Sequence, residues 1–378
     1  MTLVVHLIDF HNRNSWLENQ FNFFRDAGIE QGLISLSERG KIHDYLDSIG
    51  LEKNEHFGRG LMGFLKGCAT LKSWASGQDT IIYAHGHIPA IFASFFRAFT
   101  GVCFVICHHQ PSPKLFTQLR KRIFFRAIIH SILARYYYWS ATLIQVLSLE
   151  IESVLLERGL SCEKIMRIPL GLEFKNFYNL NKESENFSPA DEFVIVSISR
   201  LAWEKRIDLG IRIVARLVDQ GFKVKYSVVG TGPELDSLQS LTTELKVSEH
   251  VDFLGHREDI NAILNGSDLL LHLSTTEAYG QVLMEARLTE LPIFTSPCGV
   301  ALDIEHRGDT SLEVFRSEDA LEIAGQLKEF ILKLQSRSRT KPVLSGSEKY
   351  IIHDFQRVIP EVVSMFVGLF ASRKLFKR

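Results

Sequence analysis

The sequence predicts an α/β protein made of two doubly wound, parallel-sheet domains. Three observations carry that prediction. The chain has 378 residues, enough for about two domains that each bury a core. Two series of short apolar runs alternate with stretches of helical period. A polar, irregular segment after Pro169 and Gly171 separates the two series.

In the first series the strand candidates are residues 3–8, 32–36, 80–84, 102–107 and 142–147, with an amphipathic stretch over 16–27. Runs without strict alternation suit strands buried on both faces, and the helical stretches between them make βαβ units. The second series opens with a strand over 193–198 and a helix over 207–220 that Gly221 ends. A strand over 224–229, a turn over 230–233, a helix over 234–245 and a strand over 251–254 follow. Then come a helix over 260–264, a strand over 269–273, a helix over 281–289 and a strand over 292–295. The implied domains are 1–170 and 191–352, with a linker over 171–190. A C-terminal helix over 353–378 returns to the first domain or meets a membrane surface. Two such domains joined by a hinge face each other across a cleft, where open α/β sheets take ligands.

Composition narrows the class. With 46% hydrophobic and 23% charged residues and a net charge of −1, disordered, collagen-like and disulfide-scaffold chains are excluded. The apolar start is cut by Asp9, too soon for a secretory signal, and no run of about 20 apolar residues reads as a membrane span. Cys68, Cys103, Cys107, Cys162 and Cys298 are odd in number and form no CxxC pair, so reduced thiols in a cytosol are expected.

The neutral total hides an asymmetry. Residues 80–149 hold seven Lys or Arg and no Asp or Glu. Within them, 114–139 interleaves arginines with Phe, Ile, Tyr and Trp, and 365–378 has the same character. Such segments suit an anionic membrane surface. They equally suit helices that pack on their own domain and extend their cations to water. No nucleic-acid motif accompanies the charge, so nucleic acid is not an expected partner.

Four constellations could carry chemistry. Residues 274–286 read STTEAYGQVLMEA, leaving a buried strand and entering a helix. Gly280 stands at the helix entrance, where the N–H groups of Gln281 and Val282 suit an anion. Glu277 and Glu285 suit the vicinal hydroxyls of a sugar or ribose. The plainer alternative is one capping and one solvated glutamate. Residues 199–206 read SRLAWEKR after another strand, and Arg200 with Lys205 suit a diphosphate. The turn Gly230-Thr231-Gly232-Pro233 is a truncated GxGxxG. His85, His87, His108 and His109 lie at two strand ends, but no carboxylate lies near in sequence, and the chain has no Asp-x-Asp. No metal ligand is therefore assigned.

Together these residues resemble the retaining GT-B glycosyltransferases of family 4. That group includes sucrose synthases, bacterial mannosyltransferases and lipopolysaccharide or capsule enzymes. Glu277 and Glu285 are similar to its E-x7-E pair, residues 277–280 to E-G-F-G, and Ser199-Arg200-Leu201 with Lys205 to G-R-L-x-x-x-K. Residues 229–233 resemble V-G-x-G-P, 253–255 F-x-G, 168–171 the I-P-N-G hinge, and 81–85 the I-I-H-A-H strand.

The resemblance implies a GT-B fold of two Rossmann-like domains facing a cleft. It implies a metal-independent, retaining hexosyl or N-acetylhexosaminyl transfer from a UDP- or GDP-sugar, with no other cofactor. Arg200 and Lys205 would hold the diphosphate and Glu285 the ribose. Glu277 with the backbone of Tyr279, Gly280 and Gln281 would hold the sugar, and Val282 belongs to the same donor site. Gly230 and Gly232 would line the donor site. Gly255 and His256 would meet the base, and either His108 or His109 would touch the sugar from the acceptor-side domain. A glycan or lipid-linked acceptor at the cytoplasmic membrane face, in surface polysaccharide or lipopolysaccharide synthesis, fits the cationic block. A nucleotide-sugar epimerase or a silent binding subunit are the alternatives. Three departures stand out. The loop 9–15 has no glycine and offers Arg13 and Asn14 instead, Leu170 replaces the hinge asparagine, and Glu290 replaces a glycine.

Overall fold

A computed structural model of the chain describes residues 2–11, 15–58, 60–108, 124–170, 192–309 and 311–336, with 358, 360–362, 364–366 and 368–369. The chain divides into two compact units, 1–172 with 352–378, and 173–351.

In the first unit a seven-stranded parallel sheet is built from β1 (Thr2–Ile8), β2 (Glu30–Ser35), β3 (Asn54–His56), β4 (Asp79–His85), β5 (Cys103–His108), β6 (Leu143–Val146) and β7 (Ile165–Arg167). The spatial order is β3-β2-β1-β4-β5-β6-β7, so the winding reverses between β1 and β4. Both of those strands are buried nearly throughout, which is why they read as apolar runs rather than as alternation. Residues 165–167, read from sequence only as the approach to the hinge, pair with β6 as the edge strand. Phe366 packs edge-on against Phe24 at 5.5 Å and Tyr83 at 5.0 Å, which anchors the C-terminal segment to this unit.

The second unit holds six parallel strands: β8 (Phe193–Ile198), β9 (Val224–Val229), β10 (Val251–Gly255), β11 (Leu269–His272), β12 (Ile293–Thr295) and β13 (Leu312–Val314). Their order is β10-β9-β8-β11-β12-β13, so the winding reverses between β8 and β11. Helix Ile207–Asp219 buries Ile207, Ile211, Val214 and Leu217 at helical spacing. Beyond Thr295, where the sequence series ends, the structure adds β13 and helices Ala301–His306 and Ala320–Ser336. The last of these buries Ile323, Leu327 and Phe330, an amphipathic pattern visible in the sequence itself.

A buried hydroxyl relay ties the three central strands of this sheet together. Tyr226 on β9 donates to Ser197 Oγ on β8 at 2.8 Å, and Ser197 donates to the Leu271 carbonyl on β11 at 2.5 Å. Gly210 makes room for it, since a Cβ there would stand 2.4 Å from the Tyr226 hydroxyl. The two strands at the reversal are thereby held in register from within the core.

Candidate functional site

Open parallel sheets bind ligands beyond the carboxyl ends of the strands that flank a reversal of winding. In the second unit those ends launch two loops: 199–206 after β8 and 273–280 after β11. They are the loops that hold Arg200, Lys205 and Glu277.

The first loop is braced from below by the turn after β9. Ser199 N donates to the Val229 carbonyl, and Leu201 N to the Thr231 carbonyl at 2.9 Å. Gly230 has φ +132°, and a Cβ there would lie 1.9 Å from the Ser199 carbonyl oxygen. A Cβ on Gly232 would lie 2.2 Å from the Leu201 oxygen. The sequence points to both glycines as donor contacts. The structure gives them a packing task, because the space a side chain would need is filled by the backbone of the Arg200 loop. A short 3-10 turn, Trp203–Lys205, then aims Lys205.

The second loop is laced to the first. Thr275 donates its N–H (2.9 Å) and its hydroxyl (3.2 Å) to the Glu204 carbonyl. Residues 296–300 support it from behind. Ser296 Oγ donates to the Ser274 carbonyl at 2.5 Å, and Val300 N to the Tyr279 carbonyl at 2.7 Å. Gly299, at φ +56°, lets Tyr279 O and Glu277 Cβ approach to 2.4 and 2.9 Å of where its own Cβ would stand.

The centre of the site is the Glu277 carboxylate. Lys205 Nζ donates to its Oε1 at 2.5 Å, and Ser274 Oγ donates to the same oxygen at 3.0 Å. His272, the last residue of β11, places Nε2 3.3 Å from that oxygen. Glu277 and Lys205 side chains are only 15% and 19% exposed. Burial pushes the Glu277 carboxyl up, but His272 and then Lys205 outweigh it and hold the group at about 2. Arg200 is exposed and donates to Glu204 Oε1 at 2.8 Å. Each proposed anion-binding cation is thus paired with its own carboxylate.

Gly280 precedes helix Gln281–Leu288 in the left-handed region, at φ +83°. Gln281 donates through Nε2 to Glu285 Oε1 at 2.8 Å, and Val282 is half-buried. Burial raises the Glu285 carboxyl, against the Gln281 bond. The Tyr279 ring is buried, so only its backbone remains for a ligand. Gly255 ends β10, accepts from Gly230 N at 2.7 Å, and leads to the exposed His256. The sequence did not single out His272 and Ser274, yet His272 lowers the Glu277 carboxyl and Ser274 donates a hydrogen bond to it. Their signal was position alone, at the end of β11. The hydroxyls of Ser199 and Thr276, on these same loops, are buried without a protein partner among the described residues.

His85 and His87 are engaged with protein. His6 Nδ1 and His85 Nε2 are 3.1 Å apart on adjacent strands, and burial lowers His6 to about 3. His87 Nδ1 lies 3.0 Å from the Tyr137 hydroxyl. The side chain of His108, all of His109, Arg13, Asn14 and residues 171–190 lie outside the described residues. Among the described residues no three His, Cys, Asp or Glu side chains group to hold a metal ion.

Residues 180–342 match the family described as glycosyl transferases group 1, a stretch that contains the whole second sheet. The gpi3 subunit of phosphatidylinositol N-acetylglucosaminyltransferase from Schizosaccharomyces pombe is 30% identical over 151 residues, 39% of this chain and 32% of that protein. Alpha-monoglucosyldiacylglycerol synthase from Acholeplasma laidlawii is 28% identical over 136 residues, 33% of this chain and 34% of that one. The chain spans about a third of the length of such curated relatives. Among solved structures, Anabaena HepE in complex with UDP superimposes with a TM-score of 0.77 at 21% identity, covering 97% of this chain and 99% of the other. That likeness shows the fold, which is GT-B: two Rossmann-like α/β domains.

Proposed function

We propose that this chain is a glycosyltransferase that moves a sugar from a nucleoside-diphosphate donor to an acceptor hydroxyl. The observation that carries the reading is the Lys205–Glu277 pair, which joins the two loops at the winding reversal of the second sheet. The match of residues 180–342 to glycosyl transferases group 1 supports it. Anabaena HepE, of the same fold, is described as bound to UDP, which favours a UDP-sugar over a GDP-sugar.

The chemistry follows from charge. As the bond from the anomeric carbon to the diphosphate oxygen breaks, negative charge grows on the leaving group. Arg200, Lys205 and the first-turn N–H groups of helix Gln281–Leu288 are the groups that would stabilise it. The acceptor oxygen bonds to the anomeric carbon, and its proton passes to a leaving phosphate oxygen. Attack from the face the diphosphate leaves retains the anomeric configuration. We read the enzyme as metal-independent, because the sequence has no Asp-x-Asp and offers cations instead.

The transferred group is a hexose or N-acetylhexosamine. The acceptor is lipid-linked or a glycan at the cytoplasmic membrane face, as in bacterial surface polysaccharide or lipopolysaccharide synthesis. The acid-free block 80–149 supports a membrane location, and two relatives are named for lipids, phosphatidylinositol and a monoglucosyldiacylglycerol.

A thermal-shift panel of UDP, GDP, ADP and CMP, with and without Mg²⁺, on wild type and Lys205→Ala tests the reading. One diphosphate should raise the midpoint by mass action, with or without Mg²⁺, and the shift should vanish in the variant. Turnover of Lys205→Ala should fall by roughly 100-fold or more. Near-normal turnover in the variant would overturn the assignment.

A further inference from the structure

The first unit carries an apolar face that its own packing leaves open. Helix His87–Thr100 packs on helix Phe124–Ser140, and ring contacts link it to helix Leu61–Trp74. Phe64 meets Phe95 at 6.4 Å, and Phe95 meets Tyr136 at 5.9 Å. Around that row, Leu61 is 73% exposed, Leu65 51%, Phe99 87%, Ile132 64% and Trp139 74%. Each helix contributes at helical spacing: Leu61 and Leu65 on the first, Phe95 and Phe99 on the second, Ile132, Tyr136 and Trp139 on the third. Single exposed apolar residues are ordinary, but a contiguous set over three helices marks a docking surface.

The charge of this stretch of sequence points to the occupant. Residues 56–149, which contain all three helices, hold ten Lys or Arg and a single acid, Asp79. Lys66, Lys72 and Arg135 are exposed on the same helices. A protein partner with a mixed surface has no need of so one-sided a field. An anionic lipid leaflet does, since apolar and aromatic side chains enter the headgroup boundary while cations meet phosphate. No helix among the described residues is long and apolar enough to cross a membrane, so the contact lies along the surface.

We infer that the exposed apolar face of helices Leu61–Trp74, His87–Thr100 and Phe124–Ser140 is a docking surface for an anionic membrane leaflet. It deepens the membrane part of the proposed function and rests on that part. The test needs no donor and no turnover, so it fails or succeeds independently of the glycosyl-transfer reading.

Sedimentation of the full chain is measured with vesicles of phosphatidylcholine alone and with about 30% phosphatidylglycerol, at low and high salt. Wild type should bind the anionic vesicles and release as salt rises. Phe99→Ser with Leu65→Ser should lower the partition coefficient by at least tenfold. Lys66→Gln with Lys72→Gln should lower it about fivefold per charge. All of these side chains are exposed, and an unchanged thermal midpoint without any ligand checks that the variants remain folded. With brominated lipid, Trp fluorescence should be quenched in wild type, and that component should disappear in Trp139→Phe, which keeps the apolar contact. Binding unchanged by Phe99→Ser with Leu65→Ser, quenching unchanged by Trp139→Phe, or no vesicle binding with a wild-type dimer that these variants dissociate, would overturn the inference. The last outcome would assign the face to a second copy of the chain.

Discussion

The strongest quantitative consequence of the site geometry concerns Glu277→Gln. The substitution keeps shape and removes the charge that Lys205 and His272 face. The Glu277 carboxyl is held at about 2 against its ordinary 4.5, because His272 and Lys205 overcome the cost of burial. A tenfold change in proton affinity is about 1.4 kcal/mol, so ionised Glu277 stabilises the second unit by about 3 kcal/mol. The sign is that of a depressed carboxyl. Its contribution is complete above about pH 4.5 and is lost as pH falls toward 2. The glutamine variant has no such titration. Wild type should therefore exceed Glu277→Gln by about 3 kcal/mol at pH 7 and by less than half of that at pH 3. Urea unfolding followed at Trp203 reads this unit, in a background where Trp16, Trp74 and Trp139 are Phe, since Trp203 is then the sole tryptophan. A stability gap that stays constant from pH 7 to pH 3 would refute the argument, for it would mean that the carboxyl titrates alike in folded and unfolded chains.

Two further substitutions test the frame that positions the loops. Glu290 lies at φ +57°, where a side chain costs about 1–2 kcal/mol and glycine little. After the extra chain entropy that glycine loses on folding, about 0.5–1 kcal/mol, Glu290→Gly should raise stability by about 0.5 kcal/mol in the same urea assay. A loss of stability would show that the Glu290 side chain has a role the backbone argument misses. Gly210→Ala should cost about 1–3 kcal/mol by overpacking against Tyr226. In the double variant with Tyr226→Phe the total should be less than the sum of the two single costs. Strict additivity would contradict a clash at the hydroxyl.

The fold was legible where burial is two-sided. β1, β4, β8 and β11 are apolar on both faces because helices cover the sheets, and each stands out as a run in the sequence. The edge strands β3, β7 and β13 were not legible. They are three residues long, and residues such as Glu55, Arg167 and Glu313 face water, so neither length nor hydropathy marks them. Within the site, Arg200, Lys205, Glu277 and Gly280 were visible from their places between strand and helix. His272 and Ser274 were not, because a histidine at a strand end looks like any core histidine until its neighbour across the loop is known. The departure at Glu290 has a backbone meaning that sequence alone could only hint at: the position is left-handed, and glycine is the residue that suits it.

The charge state of Glu277 also bears on the order of chemical events. A carboxyl held at about 2 is ionised at neutral pH, so it accepts hydrogen bonds and has no proton to give. Its Oε1 already takes Lys205 and Ser274, and a carboxylate so stabilised is a weak base and a weak nucleophile. It suits the binding of sugar hydroxyls better than proton abstraction or a covalent glycosyl link. The same stabilisation ties Lys205 to Glu277 before any donor arrives. Under the proposed function, an incoming diphosphate would share that ammonium with the carboxylate, with no need to desolvate a free cation. Charge growing on the leaving phosphate would draw Lys205 further from Glu277 as the bond breaks, so the interaction strengthens as the reaction proceeds. Binding that increases toward the transition state is what raises turnover, as opposed to affinity alone.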